Sequence, residues 1–291
     1  MAQTQAVKIF RPQTYFRAKS VGEATQFLLE HNGSVVIAGG TDLLVEKNCD
    51  IISLVDITRL GLNYVNPEEK LVRIGACTTF TQIEKDATLG KQPYSSLVEA
   101  ARTIGGVAIR NEATIGGNIC NAVPSADSAP PLMVLDSKVR IASCNGERII
   151  PLEDFFLHVR KVDLKKGEMV TEIQIPKPVP HTGTSFMKLG RAADDISVVN
   201  AAARVTLGQD KTLQDVRLVL GAVAPVPLRA QKAEAQLMQE GVERISEVAE
   251  TAADEVKPIS DVRASVGYRR DMCRVLSERV LRMALERAEA I

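Results

Sequence analysis

The sequence has no tryptophan, only three histidines and only five cysteines among its 291 residues. The cysteines form no CxxC pair and the histidines no HExxH arrangement. Structural zinc sites and iron–sulfur clusters usually take their ligands from such closely spaced residues. We therefore expect no metal site in this chain, and we interpret the scattered cysteines as free thiols in a reducing compartment.

An excess of either charge is also absent, because 36 basic residues balance 36 acidic ones. Proteins that bind nucleic acid usually carry a basic excess, so we expect no nucleic-acid partner. No segment approaches the run of about 20 apolar residues that spans a membrane. The first residues, MAQTQAVKIFRPQ, lack the apolar stretch of a signal peptide. These features predict a cytoplasmic protein without a membrane span.

Three common active-site motifs are missing as well. The sequence contains no GxGxxG, no GxxxxGK[ST] and no GxSxG. The first absence disfavours a Rossmann domain for a nicotinamide cofactor, and the second disfavours a P-loop nucleotidase. The third leaves no nucleophile elbow of the hydrolase type.

Helix and strand signals alternate through the first part of the chain. A capping-box pattern at Ser20 predicts a helix to about Glu30. Apolar runs at 34–38 and 51–57 predict short buried strands. Asn145-Gly146 lies between two β-rich runs and predicts a hairpin. The pattern indicates an α+β protein.

A proline-rich connector over 176–183 predicts a domain boundary. We predict an N-terminal domain over 1–177, with parts of about 1–60 and 61–177, and a C-terminal domain over 183–291. The C-terminal domain is predicted to contain three antiparallel strands, at 184–190, 197–208 and 216–223. Two helical segments are predicted after them, at about 230–256 and about 262–289.

Glycine pairs at 39–40, 105–106 and 116–117 are the main functional signal. The first and third begin short polar loops, AGGTD and TIGGN. Successive backbone N–H groups in such turns can receive a phosphate or diphosphate. A single glycine pair is more typical of an ordinary turn, but two polar glycine loops together suit an extended dinucleotide. The side chains that could assist binding are those of Thr41, Asn118, Asn121 and Asp127.

These motifs resemble, in order along the chain, the flavin subunit of molybdenum hydroxylases of the xanthine dehydrogenase and carbon monoxide dehydrogenase type. The resemblance implies a two-part FAD-binding domain of the p-cresol methylhydroxylase type, followed by a C-terminal domain with a three-stranded antiparallel sheet and helices. Ala264 and Asp194 depart from the family pattern, where glycine is expected. The matching segments are Ala38–Leu43, Ile109–Asn111, Thr114–Ile119, Pro124, Asp127, Phe186–Lys188, Asp195–Ile196, Asp261–Ser265 and Tyr268–Arg269.

The resemblance also implies roles for individual residues. The two polar loops would hold the FAD diphosphate through main-chain donors, and Ile104 would pack against the flavin ring. Val170 and Lys188 would lie near its reactive side, where Lys188 is the catalytic candidate because a cation stabilises negative charge on reduced flavin. The alternative is that Lys188 is an ordinary strand residue whose side chain is solvated. The implied cofactor-binding residues are Ala38, Gly39, Gly40, Thr41, Asp42, Leu43, Ile104, Thr114, Gly116, Gly117, Asn118, Asn121, Asp127, Val170 and Lys188.

The function implied is that of an electron-transfer subunit. Non-covalent FAD would take electrons from the [2Fe-2S] clusters of a small partner subunit and pass them to NAD or another acceptor. Molybdopterin would belong to a large partner subunit, and the complex would be a dimer of heterotrimers. No histidine lies in a glycine loop, so covalent flavin attachment is not expected.

Two other functions stay open at this point. One is a stand-alone FAD-dependent oxidoreductase with its own small-molecule substrate. The other is an assembly module that has lost its cofactor. Substrate turnover by the isolated chain would favour the first, and a failed FAD titration would favour the second.

Overall fold

The computed structural model describes residues 10–291. The first nine residues of the predicted N-terminal domain lie outside this range. The strands of the described range are β1 (Thr14–Arg17), β2 (Ser34–Ile37), β3 (Ser53–Asp56), β4 (Val65–Pro67), β5 (Leu71–Gly75), β6 (Lys138–Ser143), β7 (Gly146–Pro151), β8 (Phe156–His158), β9 (Lys161–Val162), β10 (Met169–Pro176), β11 (Thr182–Leu189), β12 (Val199–Leu207), β13 (Leu213–Gly221) and β14 (Leu228–Arg229).

Four helices begin at a hydroxyl residue whose side chain accepts from a free backbone N–H group: Ser20, Thr79, Thr114 and Ser265. Ser20 Oγ accepts from the Glu23 N–H at 3.1 Å, as its capping pattern predicts. The α-helices are α1 (Val21–Glu30), α2 (Leu43–Glu46), α3 (Phe80–Lys85), α4 (Ser95–Thr103), α5 (Val107–Glu112), α6 (Ile115–Asn121), α7 (Ala129–Val134), α8 (Leu152–Phe155), α9 (Gln231–Glu240), α10 (Ile245–Glu255) and α11 (Val266–Glu289), with a 3₁₀ turn at Val242–Arg244.

Two separate sheets and a two-stranded antiparallel ribbon, β8 with β9, form the N-terminal half. Strands β1, β3 and β2 make a small parallel sheet with β3 in the centre. Strands β4, β5, β10, β6 and β7 make a larger antiparallel sheet in that order, and β6 and β7 form the hairpin predicted at Asn145-Gly146. The central strand of the larger sheet is β10, which is buried at almost every position. Long segments between the sheets carry α3 to α7, and of these helices α3, α4, α6 and α7 pack into the larger core, whereas α5 has no buried residue.

An antiparallel sheet with three helices forms the C-terminal half. The three predicted strands are present as β11, β12 and β13, and a two-residue strand, β14, joins them at the edge. The first predicted helical segment, about 230–256, is in fact two helices. It breaks at Gly241, whose φ of +90° is readily adopted only by glycine.

Strand β12 is buried along its whole length because both faces of its sheet are covered. Ala201 and Ala203 pack with α9, α10 and α11. Ala202, between them on the opposite face, packs with the core of the N-terminal half, together with Phe186 and Val219. The two halves therefore share one continuous hydrophobic cluster.

The segment after the second glycine pair differs from the sequence expectation. TIGGN was expected to be a polar loop, but Thr114 caps α6 and Gly116 and Gly117 lie in its first turn. The helix forms despite the glycines because its start is fixed by tertiary contacts, including the 2.9 Å hydrogen bond from Gly116 N to Ala76 O. No helix within residues 10–291 combines the length and the apolar composition needed to cross a bilayer.

Candidate functional site

A cavity of about 440 Å³ lies against the first sheet and helix α6. Its wall comes mainly from the segments 34–43, 113–121 and 164–170. A volume of this size is within the range of cofactor and ligand sites. The cavity brings together the two polar glycine loops, which are far apart in the sequence. The predicted site residues that line it are Ala38, Gly39, Gly40, Thr41, Asp42, Leu43, Thr114, Gly116, Gly117, Asn118, Asn121 and Val170.

The first glycine turn carries a run of unpaired backbone donors. It links the end of β2 to α2, and Gly40 adopts a φ of +67°. Within residues 10–291, no protein acceptor pairs with the backbone N–H groups of Gly39 through Leu43. Consecutive free N–H groups in a glycine turn form a concavity suited to an anion. The turn therefore fits a diphosphate.

The second glycine turn has its donors already in use. Gly117 N donates to the Thr114 hydroxyl at 3.1 Å, and Asn118 N donates to the Thr114 carbonyl at 3.0 Å. Gly116 N and Ile115 N also donate to neighbouring carbonyls. This differs from the expectation that both loops offer main-chain donors. The second turn therefore contributes surface to the cavity rather than free backbone donors.

The glycines of the two turns meet different surroundings. A Cβ atom on Gly39 would lie 1.8 Å from the Glu112 carbonyl oxygen. One on Gly116 would lie 2.6 Å from the Ala76 carbonyl oxygen. Among residues 10–291 outside its own helix backbone, a Cβ on Gly117 would meet only the Thr114 hydroxyl within 4 Å, at 3.0 Å, and Gly117 is exposed. Gly39 and Gly116 therefore permit backbone packing, whereas Gly117 leaves open space that a cofactor can occupy.

A polar bridge, formed by Asp42, Asn121, Arg160 and Glu46, connects the first turn to the opposite side of the cavity. Asn121 Nδ2 donates to Asp42 Oδ2 at 2.8 Å. The Arg160 guanidinium donates to Asn121 Oδ1 at 3.1 Å and to Glu46 Oε1 at 2.6 Å. Two predicted cofactor-binding residues thus contact each other, and Arg160 joins them without any sequence signal that could have found it.

Three predicted site residues lie outside the cavity wall: Ile104, Asp127 and Lys188. Lys188 Nζ donates to Asp127 Oδ2 and to the Thr103 carbonyl, both at 2.8 Å. Both ionised side chains are at most 7% exposed, and their pairing compensates for the loss of solvent. Lys188 is therefore a buried ion-pair partner, and the alternative of a solvated strand residue is wrong. Ile104 caps the end of α4 and packs against the larger core.

The Asp127 carboxylate is fully engaged by protein donors. Its Oδ1 accepts from Ser197 Oγ and from Asn200 Nδ2, the latter at 2.7 Å. These contacts give no support to its expected role in cofactor binding. One hydrogen bond of 2.6 Å, from Ser128 Oγ to Asn118 Oδ1, links this buried cluster to the cavity wall.

Sequence reasoning missed several residues that line the cavity. Cys120 is one, and burial raises the pKa of its thiol to about 12, so it is unreactive at neutral pH. Glu168 is another, and its hydrogen bonds with Arg148 hold the pKa of its carboxyl below the ordinary value. The apolar residues found only from the structure include Val35, Val36, Leu164 and Met169. In the part of the chain that is described, no group of three or more metal-ligating side chains could hold a metal ion.

Comparison with known proteins gives concordant matches over nearly the whole chain. Residues 8–178 match the FAD binding domain in molybdopterin dehydrogenase, and residues 184–284 match the CO dehydrogenase flavoprotein C-terminal domain. The chain is similar to the xanthine dehydrogenase FAD-binding subunit of Escherichia coli O157:H7, with 33% identity covering 94% of this chain and 97% of that protein.

Two further relatives extend the comparison. The glyceraldehyde dehydrogenase medium chain of Sulfolobus acidocaldarius is 32% identical, covering 91% of this chain and 95% of that protein. A solved structure of carbon monoxide dehydrogenase from Hydrogenophaga pseudoflava matches with a TM-score of 0.90 and 29% identity, covering 95% of this chain and 98% of that chain. The predicted fold class is confirmed.

Proposed function

Because the chain belongs to the family of FAD-binding subunits of molybdopterin dehydrogenases, we propose that it relays electrons inside a multi-subunit molybdenum hydroxylase. Its electrons would come from the [2Fe-2S] clusters of a small partner subunit and go to NAD or another acceptor. The observation that carries this proposal is the cavity between the two glycine turns, where free backbone donors lie opposite the open space at Gly117.

The chain's own residues supply the binding of FAD. The N–H groups of Gly39 through Leu43 would hold the diphosphate, and the Thr41 and Asn118 side chains would add polar contacts. Val170 and the apolar wall would exclude water from one side of the cofactor. When bound, FAD supplies the capacity to accept and donate electrons one or two at a time, and the protein positions it.

Lys188 would place a positive charge next to the cofactor site. Its ammonium group is buried, and the Asn118–Ser128 hydrogen bond connects the cavity wall to the residue beside its partner Asp127. A buried cation near the flavin would favour negative charge on the ring system. We propose that Lys188 supplies this charge, that Asp127 holds its ammonium group in place, and that Ile104 forms part of the adjoining apolar wall.

Several relatives are named as medium chains of larger enzymes, including the carbon monoxide dehydrogenase medium chain of Hydrogenophaga pseudoflava. We propose that this chain likewise assembles with a molybdopterin-binding large subunit and a [2Fe-2S] small subunit, as a dimer of heterotrimers. Its domains would be the FAD-binding domain over 1–177 and the C-terminal domain over 183–291. A cytoplasmic location suits such a complex.

Purification of the chain from its native source tests this function. We expect a yellow protein with about one FAD per chain, together with molybdenum, iron and two further polypeptides. The isolated chain should show no turnover of an organic substrate. A colourless chain that FAD cannot reconstitute would contradict the proposal, and substrate turnover by the isolated chain would favour a stand-alone oxidoreductase.

A further inference from the structure

The cavity has an unfavourable charge pattern for the ligand that the proposed function assigns to it. Its lining includes the carboxylates of Asp42, Glu46 and Glu168, and within residues 10–291 no lysine or arginine lines it. The diphosphate of FAD is anionic and no cationic side chain of residues 10–291 lines the cavity to attract it, so it is held mainly by backbone donors. Retention of the cofactor therefore depends on elements that keep the first glycine turn in place.

Helix α2, which follows that turn, is weakly anchored by packing. It has only four residues, and none of them is buried. Lys47, at its end, adopts a left-handed conformation with φ of +50°. Leu43 packs against the small cluster of Ile37, Ile51 and Leu54, whereas Leu44 and Val45 are exposed. The position of α2 therefore depends largely on polar contacts made by its side chains.

Arg160 supplies such a contact, and a hydrogen bond holds its backbone in place. It lies between β8 and β9 with a φ of +55°, a conformation that is strained for a residue with a side chain. Its N–H donates to the Ala122 carbonyl at 2.9 Å, and Ala122 is also left-handed, with φ of +47°. Two strained residues are thus hydrogen-bonded to each other beside the cavity.

The Arg160 side chain joins three segments of the site. It reaches Glu46 on α2 and Asn121 at the end of α6, and Asn121 in turn reaches Asp42 in the first turn. The ion pair is half-exposed, with 49% and 37% of the two side chains accessible, so salt weakens it. The bridge is therefore reversible.

We propose that Arg160 is a positioning residue that holds α2 and the first glycine turn closed over bound FAD and so slows release of the cofactor. This inference rests on the proposed function. Arg160 acts through Glu46 and Asn121, since its Nη1 donates to both of these side chains. The Glu46→Gln variant distinguishes this role from a direct contact of the guanidinium with the diphosphate.

The rate of FAD release from the full chain tests the inference. Release is followed by the rise in flavin fluorescence after dilution. Arg160→Gly removes the guanidinium and suits the left-handed backbone, so a change in rate cannot come from added strain. We expect release about two- to fivefold faster, the range that an exposed ion pair supports.

Four further variants and a salt series complete the experiment. Glu46→Gln should speed release to a similar extent, the double variant should be no faster than Arg160→Gly alone, and Arg160→Lys should restore part of the slow release. Arg244→Ala, at an exposed ion pair of the C-terminal half, is the matched control and should leave the rate unchanged. Raising salt should speed release from the unsubstituted chain and not from Arg160→Gly.

Two results would overturn the inference. One is an unchanged release rate in Arg160→Gly. The other is faster release in Arg160→Gly with slower release in Glu46→Gln, which would mean that Arg160 contacts the diphosphate and competes with Glu46 for it. Failure of the unsubstituted chain to bind FAD at all would instead contradict the proposed function.

Discussion

The two glycine turns of the cavity look alike in the sequence and differ in the structure. AGGTD is an irregular turn after a strand, and the N–H groups of Gly39 through Leu43 have no acceptor among the described residues 10–291. TIGGN is the first turn of a helix, and its N–H groups donate to Thr114, Ala76 and Thr78. A glycine pair therefore does not by itself indicate an anion site. Its function depends on whether the surrounding backbone has already used the donors.

The largest effect should come from Gly39→Ala. Its Cβ would overlap the Glu112 carbonyl at 1.8 Å, and neither backbone can move without separating the turn from α5. We expect a loss of more than about 3 kcal/mol in the free energy of unfolding, measured by urea denaturation with circular dichroism.

Gly267→Ala is the matched control, because a Cβ on this helical glycine would have no atom of the described part of the chain within 4 Å beyond its own helix backbone. It should be neutral or slightly stabilising. Equal stabilities for the two alanine variants would show that the first turn tolerates a side chain.

The next effect concerns binding rather than folding. Gly117→Val places a branched side chain in the open part of the cavity, and its one close neighbour is the Thr114 hydroxyl. We expect FAD binding to weaken by at least about 100-fold, measured by titration, with the C-terminal half still folded. Retention of stoichiometric FAD would refute the assignment of this space to the cofactor.

A smaller effect should follow from Thr114→Val. The substitution keeps the shape of the side chain but removes the hydroxyl that accepts from Gly117 N. Loss of such a helix cap typically costs about 1 kcal/mol, which should appear as a lower urea midpoint. Thr114→Ser retains the acceptor and should keep most of the stability; a valine variant as stable as the serine variant would argue against the cap.

The smallest effect should be a pH dependence of the stability of the first sheet, which the first glycine turn follows. Burial on its own raises the pKa of Asp56, but hydrogen bonds from Thr58 and Tyr15 outweigh it and hold the pKa well below its ordinary value. A depressed pKa stabilises the fold above the unfolded-state pKa, and this stability is lost as the pH falls below about 4.

Protonation of the Asp56 carboxylate alone should lower the free energy of unfolding by about 0.3 kcal/mol at pH 4 and by about 1 kcal/mol at pH 3. Hydrogen exchange should show β1 to β3 losing protection before α6 does. Asp56→Asn should remove this difference in protection between the first sheet and α6. Exchange that accelerates equally in both regions of the unsubstituted chain would contradict the assignment of the pH dependence to Asp56.

Local signals in the sequence predicted much of the fold. The Ser20 cap, the Asn145-Gly146 hairpin and the three long C-terminal strands follow from capping, turn and alternation rules that act over a few residues. Helices α5 and α6 could not be predicted in this way. They are short and glycine-bordered, and contacts with distant backbone, such as that of Gly116 with Ala76, fix their position.

The site was predicted less completely than the fold. The family resemblance located both glycine turns, because their motifs are local. It also assigned Asp127 and Lys188 to the cofactor; in the structure these two residues form a buried ion pair outside the cavity wall, and their role toward the cofactor stays a prediction. Arg160 and the apolar wall had no motif at all, since their positions arise only when separate sheets and helices pack together.

The hydrophobic cluster shared by the two halves has a practical consequence for dissection of the molecule. Phe186, Ala202 and Val219 from the C-terminal sheet are buried against the N-terminal half, while the connector between the halves is exposed at Val179. A protease that cuts this connector should leave one particle whose fragments stay together until denaturant is added. Either half made alone would present a bare apolar face and would tend to aggregate.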